Sequence, residues 1–221
     1  MARALNNIYR YEHKYVIDKA SYFTIRKRLS RSGFLYHHEM NVVNNIYYDT
    51  LEYKYLYENI DGLADRVKYR FRWYGDPLQT SNGTYEAKVK DGNVNYKIQS
   101  KLKDLDIDIL NPPEIKKQIM ARISKKDQLI LQRLHTTLIN KYHREYFLTK
   151  GQIRLTIDTE IAYMNPANVD YGYLHDPNII VEIKSPTEIV LPLKMFQDLN
   201  LVLGKNSKYV NGVLRTKSIT L

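Results

Sequence analysis

The sequence predicts an α+β fold built on an antiparallel sheet that has one apolar face and one charged face. The first observation is a set of short segments in which apolar and charged residues alternate, as they do on a strand whose two faces differ. The second is a composition with 20 tyrosines and 5 phenylalanines, which favours strands and half-wet surfaces. The third is a smaller set of helical patterns between these segments.

The clearest strand pattern is the segment 66–74, Arg-Val-Lys-Tyr-Arg-Phe-Arg-Trp-Tyr, with cations on one face and apolar or aromatic residues on the other. Including this segment, eight strands are predicted, at residues 8–17, 42–48, 66–74, 84–90, 94–99, 142–148, 152–160 and 178–184. Helical patterns lie at 18–32, 114–123, 124–139 and 193–199, a short one begins at 209, and 51–60 is either a short helix or irregular.

Local signals mark where these elements begin and end. Asp18 is a candidate N-cap for the first helix, and Gly33 is placed to end it. Ser124, with Asp127 three residues later, is placed to open the helix predicted at 124–139. Asp-Gly-Asn at 91–93 predicts a hairpin turn between two of the strands.

Length and composition bound the possible functions. The 221 residues are expected to form a single domain, 1–221, with a helical insertion at about 112–140. The net charge of +10 favours anionic partners, and the absence of cysteine excludes disulfides, thiolate nucleophiles and cysteine-ligated zinc. No apolar run approaches the ~20 residues of a membrane span, and the first residues lack the apolar core of a secretory signal. A cytoplasmic location is therefore the expectation.

The charged strand faces carry a surplus of cations. Their basic residues are Arg10, Lys14, Arg66, Lys68, Arg70, Arg72, Lys88, Lys90, Arg144, Arg154 and Lys184, and their acids are Glu12, Glu86, Asp158, Glu160 and Glu182. The simpler interpretation is an open antiparallel sheet with one wet face. Such faces are usually near-balanced in charge, whereas this one has eleven basic residues against five acids. We therefore predict a closed barrel, apolar outside beneath helices and charged within.

A charged lumen is stable only when it is wet or filled, because burying an unpaired ion costs several kcal/mol. A triphosphate or polyphosphate would neutralise the surplus, since arginine binds phosphate oxygens bidentately. The carboxylates suit the hard cations Mg²⁺ or Mn²⁺, which bridge phosphates. For any single carboxylate, a salt bridge to a neighbouring arginine is a better explanation than metal binding, but their number is compatible with one or two metal ligands.

Eight short motifs occur in order along the chain: Arg10-x-Glu12-x-Lys14, Ile46-Tyr-Tyr-Asp-Thr50, Arg70-Phe-Arg-Trp-Tyr-Gly75, Glu86-Ala-Lys88, Tyr142-x-Arg144, Ile153-Arg-Leu-Thr-Ile-Asp158, Val181-Glu-Ile-Lys184 and Ser207-Lys-Tyr209. This ordered set resembles the triphosphate tunnel metalloenzymes, the CYTH superfamily, and most of all the catalytic VTC domain of the vacuolar transporter chaperone, a polyphosphate polymerase. The resemblance covers almost the whole chain and implies an eight-stranded tunnel.

The resemblance also implies roles for individual residues. The triphosphate and the growing chain would be held by Lys14, Arg70, Arg72, Lys88, Arg144 and Arg154. Further substrate contacts are expected from Arg10, Lys90, Lys184, Lys205 and Lys208, of which the last two match a pair of lysines that closes the tunnel. Glu182 would be the chief ligand of Mn²⁺ or Mg²⁺, with Glu12 and Glu86 as the other candidates. Where the wider superfamily has Glu-x-Glu-x-Lys, this chain has Arg10, and the loss of one carboxylate favours the polymerase branch.

The implied reaction is transfer of the γ-phosphoryl group of ATP to inorganic polyphosphate or pyrophosphate. Two alternatives remain: a hydrolase of the same fold that cleaves tripolyphosphate or an organic triphosphate, and a non-catalytic module that binds polyphosphate or RNA. Nucleic acid is not expected as a partner, because Tyr69 and Trp73 lie on the strand face away from the cations. The regulatory and membrane-spanning segments of the fungal polymerase subunits have no counterpart in this sequence. The expectation is therefore either a stand-alone form or partners on separate chains, such as a separate membrane protein.

Overall fold

The computed structural model describes residues 11–78, 81–92, 94–150, 153–185, 202–204 and 206–217. Ten strands form one sheet in this part of the chain. They are β1 (Tyr11–Ile17), β2 (Leu35–Asp49), β3 (Arg66–Tyr74), β4 (Gly83–Asp91), β5 (Val94–Leu102), β6 (His135–Leu148), β7 (Arg154–Met164), β8 (Leu174–His175), β9 (Ile179–Ser185) and β10 (Val202–Leu203). The helices are α1 (Lys19–Leu29), α2 (Lys54–Ile60), α3 (Pro112–Met120), α4 (Lys125–Gln132) and α5 (Lys208–Lys217).

All ladders of the sheet are antiparallel, and the strands pair in the order β10-β1-β9-β7-β6-β2-β3-β4-β5, with β8 beside β7. The α+β class and the antiparallel sheet are confirmed. The expected eight strands become ten because two dipeptide strands, β8 and β10, also pair. Within the described ranges no ladder joins β5 to β1 or β10, so the predicted closure of the barrel is not confirmed.

The sheet nevertheless curls strongly. β1 and β4 lie near opposite ends of the pairing order, yet Lys88 Nζ on β4 is 3.9 Å from Glu12 Oε2 on β1. Lys68 on β3 likewise reaches across to donate to Ser207 Oγ, next to α5, at 3.1 Å. Side chains therefore bridge the concave face where the described backbone forms no ladder.

Most predicted elements are present with shifted ends, and the helix predicted at 124–139 is shorter than expected. The helix predicted to run from Ser124 to 139 ends at Gln132, and His135 already begins β6. The helical insertion is correspondingly shorter than 112–140. Leu138 and Ile139, which were assigned to the helix, pair with Tyr47 and Ile46 of β2. Pairing along this long strand outweighs the local helical pattern beyond Gln132.

The predicted caps are confirmed. Asp18 Oδ1 accepts from the backbone of Ser21 at 2.7 Å, and Ser124 Oγ accepts from that of Asp127. Gly33 has φ of 79°, a conformation that favours glycine, and follows the turn after α1. The helix predicted at 193–199 lies outside the described residues.

Strand β7, which carries Asp158, contains a bulge at Glu160. The prediction that Glu160 lies on the charged face is wrong. Glu160 has φ of 50° and is exposed, and the pairing of β7 with β6 shifts register at this point. The bulge reverses which residues face inward, so that Ile161 and Tyr163 are buried beyond it. Glu160 therefore leaves the charged face to which the alternation had assigned it.

Helices cover the apolar face of the sheet, as predicted. One buried cluster joins Phe71 and Trp73 of β3 to Ile115 of α3 and Leu131 of α4. A second joins strands β1, β7 and β9 to α1 through Ile25 and Leu29. None of the described helices has the length and apolarity needed to cross a membrane.

The fifth helix packs differently, on the concave face. Its Tyr209 and Val213 join a buried cluster with Tyr47, Leu138 and Ile180. By strand pairing Tyr47 lies opposite Arg70, so this cluster shares a face with the charged lining. Gly212 permits the close approach, because a Cβ there would lie 2.5 Å from Leu138 Cδ2 and 2.6 Å from Tyr163 Cδ1.

Candidate active site

The charged faces of the strands meet on the concave side and form a half-buried ionic lining. Strand alternation places Lys14, Arg70 and Glu182 on this side, and cross-strand pairing brings oppositely charged residues together. Every one of these side chains is less than a third exposed. The lining can be described as three groups of charges, which we call the Glu86, Asp158 and Glu12–Glu182 groups.

The Glu86 group lies on β3, β4 and β5. Arg70 Nε donates to Glu86 Oε2 at 2.7 Å, and Gln99 Nε2 donates to the other oxygen, also at 2.7 Å. Burial raises the pKa of Glu86, but Arg70, Arg72 and Lys97 outweigh it and hold the pKa at about 2. Glu86 is thus an ionised counterion for Arg70 and is already saturated with donors.

A polar network continues from this group across β2 and β6. Arg72 Nε donates to Asn45 Oδ1 at 2.9 Å, and its Nη2 donates to Tyr142 Oη at 3.0 Å. Asn45 in turn donates to Asn140 Oδ1 at 2.8 Å. Arg72 is 9% exposed, and its guanidinium is held by these neutral partners, with no carboxylate within salt-bridge distance among the described residues.

The Asp158 group joins β6 and β7 to the start of α5. Arg144 donates to both carboxylate oxygens of Asp158, at 2.6 and 2.7 Å, and Lys208 Nζ donates to Oδ2. Asp158 is fully buried. Burial raises its pKa, but Arg144 and Lys208 reverse the shift and keep the pKa below its ordinary value. Lys208 and Arg144 also lie over the ring of Tyr142, at 4.6 and 5.2 Å from its centroid.

The Glu12–Glu182 group lies where β1 pairs with β9. Lys14 Nζ is 2.8 Å from Glu12 and 4.0 Å from Glu182, and Lys184 contacts both carboxylates. Burial and Glu182 raise the pKa of Glu12, but Lys88, Lys14 and Lys184 outweigh them and hold it at about 2. Burial likewise opposes ionisation of Glu182, while Lys184 and Lys14 keep its pKa well below the ordinary value. Both carboxylates are therefore ionised and close together.

This pair of carboxylates is the part of the lining that fits a divalent cation. No cluster of three or more acidic or histidine side chains exists in the described part of the chain, so a cage made only of protein ligands is absent there. Mg²⁺ in phosphate-handling sites is typically held by one or two carboxylates together with substrate phosphate oxygens. Glu12 and Glu182 could supply two such carboxylates, although each also contacts Lys14 and Lys184. Glu86 stands apart from this pair and is bound by two nitrogens of Arg70 and by Gln99.

The lining also contains cations that lack a carboxylate partner at close range. Burial lowers the pKa of Lys68 from its ordinary 10.5 to about 7, and the neighbouring cations act in the same direction. These neighbours are Lys88, Lys14, Arg66 and Arg70. Burial also lowers the pKa of Lys97 to about 8, despite the opposing effect of Glu86. The lining is thus short of negative charge.

We expect anion binding to be coupled to proton uptake at Lys68. Its pKa is about 7 in the folded protein and 10.5 when unperturbed, so between these values the unfolded chain binds more protons and stability rises with pH. A bound phosphate chain raises the Lys68 pKa toward its ordinary value. Calorimetric titration of tripolyphosphate at pH 8, in buffers of different ionisation enthalpy, should therefore show protons taken up. The Lys68→Met variant should take up fewer; equal uptake would contradict the assignment.

The remaining predicted site residues lie toward the edges of the lining. Arg154 is exposed and pairs across the strands with Lys184, while Lys90 is partly buried opposite Arg66. Lys88 is 38% exposed in its side chain and approaches Glu12. Arg10 and Lys205 lie outside the described residues.

Sequence reasoning missed several members of the lining. Lys97 and Gln99 alternate on the predicted strand 94–99, and that alternation could have identified them. Asn45 and Asn140 carry no charge, so a search for charged faces does not find them. The contact of Lys208 with Asp158 depends on the placement of α5, which alternation within strands does not reveal.

Comparisons with known proteins agree with this architecture. The family model of the VTC domain matches residues 9–217. A candidate adenylyl cyclase from Hippeastrum with a dominant triphosphatase activity superposes with a TM-score of 0.56 at 12% identity, covering 93% of this chain and 95% of that one. A candidate adenylate cyclase from Bacillus halodurans gives 0.54 at 13% identity over 89% and 93%. The PH1819 protein of Pyrococcus horikoshii OT3 gives 0.52 at 12% over 94% and 98%. No curated protein sequence matches the chain.

The fold and its ionic lining together define the class of structure: an antiparallel sheet that curls around a half-buried, mainly basic face. More specifically, the chain belongs to the VTC domain family, because that family model spans nearly its whole length. The resemblance inferred from the ordered motifs is thereby confirmed, whereas the solved structures, at 12–13% identity, show the fold alone.

Proposed function

We propose that this protein is a metal-dependent polyphosphate polymerase that transfers the γ-phosphoryl group of ATP to the end of a polyphosphate chain. The observation that carries the proposal is the lining itself, in which partly buried cations outnumber carboxylates and two carboxylates contact the same lysines. Arg72 and Lys68 have no carboxylate within salt-bridge distance among the described residues, so a polyanion would supply the missing charge. Membership of the VTC domain family supports the same activity.

In this proposal the residues act by positioning and by charge neutralisation, which dominate phosphoryl transfer. Arg70 and Arg144 exchange their carboxylate partners, in part, for phosphate oxygens of matching geometry. Lys14 and Lys208 add point charges beside them. Glu12 and Glu182 would hold Mn²⁺ or Mg²⁺, and the bound ion would neutralise part of the negative charge of the phosphate groups.

The phosphoryl group passes directly from ATP to the acceptor, and no covalent enzyme intermediate is needed. A terminal oxygen of the acceptor chain forms a bond to the γ-phosphorus of ATP. The bond between the γ-phosphorus and the oxygen that joins it to the β-phosphorus breaks, and ADP leaves with that oxygen. The residues of the lining are expected to hold the attacking and leaving oxygens in line. Pyrophosphate or polyphosphate serves as the acceptor.

A hydrolase of the same fold is the second candidate, and the Hippeastrum protein with triphosphatase activity is the observation that favours it. Hydrolysis would need a positioned water, for which a second metal ion is a common device. The sequence has Arg10 where a further carboxylate would stand, and the described residues bring only Glu12 and Glu182 together. This acid-poor arrangement favours the polymerase.

A nucleic-acid-binding module is less well supported. Single-strand binding uses aromatic side chains and cations on the same face. Trp73 is fully buried on the apolar face against α3 and α4, and Tyr69 packs against the same cluster. Neither ring is available beside the cationic lining.

One assay separates these candidates. The purified protein is incubated with ATP and Mn²⁺, and separately with Mg²⁺, and the products are resolved as polyphosphate, ADP and free phosphate. The proposal expects polyphosphate with one ADP per phosphate added. Free phosphate without chains would support the hydrolase instead, and ATP left intact under both metals would overturn both enzymatic assignments.

A further inference from the structure

Aromatic side chains other than Tyr69 and Trp73 lie on the charged side of the sheet. Tyr146 of β6 pairs with Thr156 of β7, which pairs in turn with Glu182 of β9. Directly opposed residues of an antiparallel pair share a face, so Tyr146 lies on the same side as the carboxylate of Glu182. Two strand spacings, about 10 Å, separate these two residues. An aromatic ring therefore belongs to the same cross-strand row as a candidate metal ligand.

Two further aromatic residues join Tyr146 on this side. His38 of β2 pairs with Tyr146, and the centroids of the two rings are 5.6 Å apart with an interplanar angle of 80°. This edge-to-face contact fixes the orientation of both rings. Tyr74 follows Arg72 by two residues on β3 and so shares its side of the sheet. The Tyr74 side chain is 51% exposed, so packing within the protein covers only about half of it.

The rings lie beside cations that the proposed function assigns to phosphate. Burial raises the pKa of Tyr146 to about 12, although the charges of Arg144 and Arg72 oppose the shift, and Tyr74 adds to it. Electrostatic effects of this kind fall off with distance, so both arginines and Tyr74 lie near the Tyr146 hydroxyl. The aromatic group and the cations are thus parts of one surface.

Aromatic rings and cations on one face suit a ligand that has both a flat apolar part and an anionic part. A chain of phosphates has only the anionic part and gains little from the rings. A nucleoside triphosphate has both, because its base stacks on aromatic side chains while its phosphate oxygens accept from arginine. The spacing of about 10 Å between Tyr146 and Glu182 leaves room for the ribose and the first phosphate between the base and the metal ligand.

We propose that His38, Tyr74 and Tyr146 form a subsite for the base of a nucleoside triphosphate. Tyr146 is the stacking ring, and Arg72 and Arg144 hold the adjoining phosphates. This inference rests on the proposed function and adds the part of the phosphoryl donor that the charged lining does not recognise. Stacking depends on the face of a base rather than on its hydrogen-bonding edge, so purines bind more tightly than pyrimidines, and ATP and GTP bind alike.

The test compares triphosphates that differ in the group attached to the phosphates. ATP, GTP, UTP and methyl triphosphate, which has no base, are titrated calorimetrically into the whole protein without divalent metal ions. Tyr146→Leu removes the stacking ring and keeps an apolar side chain. Tyr74→Leu makes the same change at a more exposed position, where less packing is lost. Tyr171→Leu, at a tyrosine that is 89% exposed in the loop after β7, is the matched control.

We expect ATP and GTP to bind the wild-type protein about 5-fold to 100-fold more tightly than methyl triphosphate, the range for stacking of one base, with UTP between them. Tyr146→Leu should abolish most of this preference and Tyr74→Leu part of it. Neither change should weaken the binding of methyl triphosphate. Tyr171→Leu should leave every affinity unchanged.

Equal affinities of the wild-type protein for ATP and methyl triphosphate would overturn the subsite while leaving the polymerase proposal standing. Equal weakening of both ligands by Tyr146→Leu, together with an unchanged ATP preference in Tyr74→Leu, would also overturn it. Tighter binding of single-stranded RNA than of ATP would assign the rings to nucleic acid instead. Failure of the wild-type protein to bind any of the triphosphates would overturn the proposed function itself, and the inference with it.

Discussion

Replacing Glu182 with glutamine is expected to lower the rate of phosphoryl transfer by at least about 100-fold, a loss typical of removing a group that stabilises the charge of the transition state. Glutamine keeps the size of the side chain but supplies no negative charge to a metal ion beside Glu12. Turnover of ATP with Mn²⁺ measures the effect. Glu114→Gln, an exposed change on α3, is the control and should leave the rate unchanged.

The affinity for tripolyphosphate without metal distinguishes metal binding by Glu182 from a general electrostatic effect of its charge. Glu182→Gln removes one negative charge from a lining that already lacks negative charge, so metal-free affinity for tripolyphosphate should be unchanged or higher. A rate equal to that of the wild type would exclude Glu182 as a metal ligand in the reaction. Equal losses of rate and of metal-free affinity would assign it a structural role instead.

The second large effect is expected on stability. Asp158→Asn leaves Arg144 and Lys208, both bonded to this buried carboxylate, without their anion. Breaking a buried ion pair in this way costs about 3–5 kcal/mol. Urea unfolding of the ligand-free variant should show a loss of this order, whereas Asp106→Asn, at an exposed position, should show almost none.

Bound tripolyphosphate should restore much of the stability that Asp158→Asn loses. If phosphate oxygens occupy the space near Arg144 and Lys208, saturating ligand stabilises the Asp158→Asn protein more than it stabilises the wild type. The comparison uses the same ligand concentration for both proteins. A ligand increment equal in the two proteins would place the phosphate chain away from Arg144.

Strand alternation was informative because it is a local property. The bounds predicted for β3, 66–74, agree with the structure, and the cations of this strand do lie on the concave side. Alternation also placed Lys14, Glu12 and Glu182 on one face correctly, since it depends only on the pleat of each strand. Capping at Asp18 and Ser124 was predictable for the same reason: the partners lie three residues away.

What failed depends on contacts between residues distant in sequence. The start of β6 at His135 is set by pairing with Asp49, 86 positions earlier, which competes with a local helical pattern. The reversal at Glu160 is set by a bulge that single-strand alternation cannot anticipate. Helix α5 was expected only as a short terminal helix. Its packing on the inward faces of β2, β6 and β9 depends on contacts of Tyr209 and Gly212 with residues distant in sequence, which the sequence alone does not reveal.

The central claim is that the concave lining is a binding site for a phosphate chain, and calorimetric titration of tripolyphosphate tests it most directly. Arg70→Ala should weaken binding about 10-fold to 100-fold, the range for a lost hydrogen bond to a charged group at about 1.5–3 kcal/mol. Lys117→Ala, an exposed cation of α3, removes the same charge from a position remote from the lining and should bind like the wild type. Equal weakening by both substitutions, or by neither, would contradict the account.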